Sequence, residues 1–112
     1  MAMYIDADDG MKRVGNNKKV YAMILKKFNG AALLEDLKAK LESGDYAGSQ
    51  AQAHTIKGLA ANLSLQDLRE KAEALEHALK DAGSTDGVDA SEISESTAAT
   101  DAAVQTWISE NS

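Results

Sequence analysis

Leu65, Leu68, Ala72, Leu75 and Leu79 recur in steps of three and four, the spacing of a single buried stripe along a helix. Weaker stripes of the same period flank it. Val20, Tyr21, Ile24, Leu25 and Phe28 predict a helix over about residues 17–28, and Leu33, Leu34, Leu37 and Leu41 predict another that stops near Ser43-Gly44. A helix over about Tyr46 to Asn62 follows. A last one spans about residues 90–110, with Ala103, Val104, Trp107 and Ile108 on its inner face. Between these runs stand residues that cap or break helices. Asn16 or Asn17 and Asp45 supply side-chain acceptors for free amide groups, and Gly15 suits the left-handed end of a short helix over residues 6–14. Ser64 with Asp67 three positions later has the form of a capping box.

Composition narrows the class to all-α. Proline and cysteine are absent, aromatics amount to 4%, and Ala, Leu, Lys and Glu dominate, so stability must come from apolar packing between helices. A chain of 112 residues is expected to form one domain, with its core over about residues 10–110. Residues 81–90, acidic and without apolar period, read as a mobile loop.

The net charge is −6, and every charged side chain after Lys80 is acidic. This argues against nucleic acid as a partner, since a phosphate backbone is bound by clustered Lys and Arg. No run of about 18 apolar residues is present, and Asp6, Asp8 and Asp9 occupy the region where a signal peptide carries positive charge. The expectation is a cytoplasmic protein without membrane insertion.

Charge distribution singles out the fourth helix. Charged residues make up 27% of the chain, yet from Tyr46 to Gln66 the one permanently charged side chain is Lys57. At about 100° per residue, Ala53, Ile56, Leu59, Ala60 and Leu63 fall on one side as the core face. His54 falls on the other. Its neighbours there are Gln50, Ala51, Lys57 and Gly58, with Ala61 one turn further, so the outer face is nearly bare around one imidazole and one ammonium. A mid-helix glycine costs about 1 kcal/mol relative to alanine, and close approach by another molecule is a reason to keep Gly58 there.

This pattern suits a transferable phosphoryl group. A neutral imidazole offers a ring nitrogen as nucleophile at cellular pH, and Lys57 can offset part of the charge that the phosphoryl group brings. Small side chains at Ala51, Gly58 and Ala61 let a partner close over the ring, and Gln50 can reach a phosphoryl oxygen. The sequence has no glycine-rich nucleotide loop and no acid cluster beside His54 for magnesium. The metal and the acceptor carboxylate must therefore come from the partner. His77 lies off the Leu75 and Leu79 seam without ligand spacing and reads as a solvated side chain.

Ala53-His54-Thr55-Ile56-Lys57-Gly58, followed by Leu59-Ala60-Ala61-Asn62-Leu63, resembles the signature of the bacterial histidine-containing phosphotransfer (HPt) family. Leu41 to Tyr46 and Leu68 to Leu79 resemble its flanks. Ser64 departs from the pattern, which commonly has glycine there. The resemblance implies an antiparallel up-down four-helix bundle with an additional short N-terminal helix. It also implies phosphorylation of His54 by a receiver-domain aspartate and discharge to another receiver. The implied partners are receiver domains of a hybrid sensor kinase and of a response regulator, with Mg²⁺ held in the receiver and no cofactor in this chain. The implied role is a monomeric carrier without kinase or ATPase activity. An inert helical adaptor, or a hydrolase or metalloenzyme using His54 or His77, are the alternatives from other classes.

Overall fold

The computed structural model describes residues 3–111, and among them there are six helices and no strand. They are α1 (Ala7–Lys12), α2 (Lys18–Lys27), α3 (Gly30–Glu42), α4 (Tyr46–Leu63), α5 (Gln66–Ala82) and α6 (Ser91–Asn111). Four of them begin by one local device. The side chains of Asp6, Asn17, Asn29 and Asp45 each accept a hydrogen bond from the backbone N–H three residues on, at Asp9, Val20, Ala32 and Gly48. Each such cap contributes about 1 kcal/mol. Gly44 and Gly83 follow α3 and α5 at positive φ, where a residue without Cβ is least strained.

Helices α3 to α6 form the bundle, each packed on its sequence neighbour and α6 closing back on α3. The turns from α3 to α4 and from α4 to α5 are short, so successive helices run antiparallel. Two N-terminal helices are added rather than one: α2 lies on α6 and α4, and α1 lies on α2. Helix α5 continues through Asp81 and Ala82, which shortens the acidic loop to residues 83–90.

The α5 stripe is buried as its period predicts, at Leu68, Ala72, Leu75 and Leu79. Helix α4 buries Ala53, Ile56, Ala60 and Leu63, but Leu59 is 39% exposed. Leu59 stands at the edge of the α4 core face, where α2 and α3 diverge and leave it half covered. On α2, Tyr21, Ala22 and Leu25 are buried, while Met23 and Ile24 face solvent. Of the inner-face residues expected on α6, Val104 and Ile108 are buried and Ala103 and Trp107 are partly covered.

Tyr21 ties the N-terminal helices to the bundle. Its hydroxyl donates to the Leu63 carbonyl at 2.6 Å, and its ring meets Trp107 edge-on at 5.1 Å between centroids. Burial, with the nearby carboxylates of Asp6 and Asp9, pushes the Tyr21 hydroxyl up to about 12. It therefore stays a hydrogen-bond donor across the physiological range.

The capping box expected at Ser64 is not formed. Ser64 instead ends α4 in the left-handed region at φ 58°, and Leu65 takes the N-cap position of α5 without a side-chain cap. A turn this tight leaves no residue free to cap the second helix. It also explains why glycine suits this position, since a left-handed non-glycine residue costs about 1–2 kcal/mol. The N-terminal segment compensates. Asp6 N–H donates to the Ser64 carbonyl, Asp67 N–H to the Met3 carbonyl, and Ser64 Oγ to Asp9 Oδ2 at 2.5 Å. Ser64 first, and Arg13 after it, hold the Asp9 carboxyl below the usual carboxylate range.

Candidate functional site

His54 sits midway along α4 with its side chain 70% exposed, on the face turned away from Ala53, Ile56 and Ala60. Every residue predicted to share that face does so. Ala51 and Gly58 are exposed and Gln50 and Ala61 are partly covered, and a Cβ built on Gly58 would meet nothing within 4 Å. The bareness of the surface follows from side-chain size as well as from charge. His77 is exposed on α5, as expected.

The site holds one group that the sequence reading missed. Glu76 of α5 reaches across to α4, placing Oε1 2.9 Å from Lys57 Nζ and Oε2 3.4 Å from His54 Nδ1. Lys57 is thus not a lone ammonium beside the ring but half of an ion pair, 30% exposed against 22% for Glu76. Burial pushes the Glu76 carboxyl up, but Lys57 and then His54 outweigh this and leave it below its ordinary value of 4.5. Glu76 follows Leu75 of the α5 seam by one position, and that flanking place was the signal available in the sequence.

The carboxylate selects a ring tautomer. Facing Glu76, Nδ1 makes a favourable contact only when it carries a proton, which in neutral imidazole leaves the lone pair on Nε2. Nε2 is then the ring nitrogen with a lone pair to offer. Lys57 and Glu76 cancel in charge, so the ring is not embedded in a field that repels an incoming anion. Among the described residues no three His, Cys, Asp or Glu side chains are grouped to hold a metal.

The sign of the ion pair's contribution to stability follows from the lowered Glu76 value. It is fully present above the ordinary 4.5 and is lost as pH falls through the lower folded value. Glu76→Gln is therefore expected to reduce stability at neutral pH by about 1 kcal/mol or less, the range of partly exposed pairs. The difference from wild type should close in equilibrium denaturation as pH falls from 4.5 through the lower folded value. A gap unchanged in acid would mean that the variant acts through packing.

A family model described as the Hpt domain matches residues 29–109. Among solved structures, the HPT domain of an Hpt sensor hybrid histidine kinase from Shewanella superposes with a TM-score of 0.75, covering 96% of each chain at 16% identity. At that identity the likeness speaks for the helical-bundle fold. No curated protein gives a significant match. Among the described residues no helix is long and apolar enough to cross a membrane. The family match extends over most of the chain and includes all four bundle helices and the His54 face, so the chain belongs to the Hpt domain family and serves histidine phosphotransfer in phosphorelay signalling.

Proposed function

We propose that His54 is the phosphoacceptor, taking a phosphoryl group from the aspartate of one receiver domain and returning it to the aspartate of another. The observation that carries this reading is the ring itself, its side chain 70% exposed and its Nδ1 held by Glu76. In the forward step Nε2 attacks phosphorus, the bond to the aspartyl oxygen breaks, and the receiver keeps the carboxylate. The phosphorylated ring retains its Nδ1 proton and carries positive charge, which Glu76 offsets from 3.4 Å. Lys57, one turn along α4, can turn from Glu76 to the phosphoryl oxygens as their charge arrives. Gln50, Ala51, Gly58 and Ala61 form the surface on which the receiver closes.

Glu76 is already engaged by two groups, so the Mg²⁺ that draws electrons from the phosphoryl group is assigned to the receiver, as is the acceptor carboxylate. The chain, acting as one module, is then a stoichiometric carrier with no kinase or ATPase activity of its own. It is read as cytoplasmic and monomeric, with partners on a hybrid sensor kinase and a response regulator. The test is a relay assay with two purified receivers, one phosphorylated. Label should reach one phosphoryl group per chain, be lost in acid, and pass to the second receiver on its addition. Saturable ATP hydrolysis by the chain, or transfer between the receivers at the same rate without it, would overturn the reading.

A further inference from the structure

The two oxygens of Glu76 are unequally placed. Oε2 stands 3.4 Å from His54 Nδ1, while Oε1 is shut off from water and faces Lys57 Nζ at 2.9 Å. Among the described residues no other charged side chain forms an ion pair with the ring. On α3, Asp36 and Lys40 pair with each other, and on α5, Glu73 pairs with Arg69. Lys80, one turn from Glu76 on α5, is exposed and forms no ion pair with it. The ring therefore answers to one carboxylate and one ammonium.

Whether a bond between phosphorus and Nε2 breaks depends on the opposite nitrogen. As the phosphoryl group leaves, Nε2 takes back the electron pair of that bond. With a proton on Nδ1 the ring departs as neutral imidazole; without one it would depart as an imidazolate anion, a far poorer leaving group. A phosphorylated ring without help thus becomes inert as pH rises through the ordinary histidine range. A carboxylate at Nδ1 moves that loss of the proton upward. Its charge favours the protonated ring, and their hydrogen bond becomes charge-assisted once the ring is a cation. Lys57 strengthens the effect on loading. When the phosphoryl oxygens draw it away, the charge of Glu76 is left to the ring, and no solvent reaches Oε1 to take the place of the ammonium.

We infer that Glu76 sets the lifetime of the phosphoryl group on His54, by keeping Nδ1 protonated so that the bond to Nε2 stays ready to break above neutral pH. This rests on the phosphotransfer reading above and adds the regulation of that site, with Glu76 as a positioning residue for discharge. In discharge an aspartate oxygen of the receiver, or water, attacks phosphorus and the bond to Nε2 breaks. The electron pair returns to Nε2, and the proton on Nδ1 stays in place. With water the product is inorganic phosphate, which keeps the protons of the water.

The experiment labels the full chain with phosphoramidate, whose phosphorus the imidazole attacks with expulsion of ammonia, removes the donor, and follows loss of label between about pH 6 and pH 9. Wild type is expected to lose label at a nearly constant rate up to about pH 8. In Glu76→Gln the rate should fall from about pH 6.5 and be roughly tenfold lower at about pH 8, since the new amide is uncharged and can donate to an unprotonated Nδ1. Discharge to an added receiver should follow the same two profiles. Phosphorus NMR of the labelled chains reads the ring proton directly, and its titration midpoint should drop by about one pH unit in Glu76→Gln. Lys57→Met removes a cation instead, so its midpoint should stay at or above that of wild type. Coincident profiles and midpoints for wild type and Glu76→Gln would overturn the inference and leave His54 as phosphoacceptor, as would label residing on Nδ1. A drop in Lys57→Met equal to that in Glu76→Gln would also overturn it, because any disturbance of the pair would then suffice. A wild-type chain labelled by neither phosphoramidate nor a phosphorylated receiver would overturn both this inference and the phosphotransfer reading.

Discussion

His54→Gln is expected to lower phosphoryl incorporation from about one per chain to below detection, at least a 10³-fold loss of rate, with the bundle intact. The two halves of this expectation have separate causes. Chemically, in the proposed transfer the ring nitrogen is the atom that forms the new bond to phosphorus, and an amide has no comparable lone pair. Nor can another residue take over: Lys57 is drawn to Glu76, and His77 lies exposed on α5 without the carboxylate and cation that frame His54. Structurally, a side chain 70% exposed contributes little to the core, and glutamine is a good helix former, so stability should change by no more than about 0.5 kcal/mol. Labelling from a phosphorylated receiver, with thermal denaturation on the same samples, separates the two. Retained label in the folded variant would exclude His54 as acceptor, and loss of that label on further replacement of His77 would identify the second histidine instead.

The features that proved legible in the sequence are those set by local geometry. Asn17 and Asp45 were readable as caps because a side-chain acceptor meets an amide three residues on, whatever the rest of the fold does. The His54 face was readable because helical period alone places Gln50, Ala51, Lys57, Gly58 and Ala61 around the ring. Features that depend on how helices meet were not. The contact of Glu76 with both His54 and Lys57 depends on the rotation and axial offset of α5 against α4, which the packing of Ile56, Ala60, Leu68, Ala72 and Leu75 decides. Leu59 and Ile24 have the spacing of core residues, and only the placement of α2 shows that a groove separates them from full burial.

Ser64 shows a competition between two local readings. Its spacing to Asp67 fits a capping box, but the need to reverse direction within two residues prevails and places it in the left-handed region. The hydroxyl then serves Asp9, and α1 becomes a brace on the turn that carries α4 into α5. In α6, buried Ser96, Thr97 and Thr100 line part of the inner face, so an apolar count underestimates how much of that helix is covered. Sequence chemistry singled out His54, and tertiary placement supplied Glu76 beside it and beside Lys57.

Gly58→Glu should separate stability from function, moving them in opposite directions. The position is exposed, its φ is not in the left-handed region, and a Cβ there meets no atom within 4 Å, so the substitution is sterically free in the isolated protein. Replacing a mid-helix glycine by a residue of high helix propensity should then raise stability by about 0.5 kcal/mol or more. In the complex the same change is unfavourable. One turn from His54, the new side chain fills the space a receiver must enter and sets a second carboxylate, with Glu76, beside the transferred phosphoryl group. Like charges brought together in an interface cost several kcal/mol, so transfer from a phosphorylated receiver should fall roughly 100-fold. Gly58→Ala should give most of the stability with little of the loss, because a methyl group adds no charge. Denaturation midpoints and transfer rates on the three proteins decide the matter. If Gly58→Glu were stabilised and still transferred at the wild-type rate, the bare face around His54 would not be where the receiver sits. If it were destabilised, the glycine would be serving the helix rather than the partner.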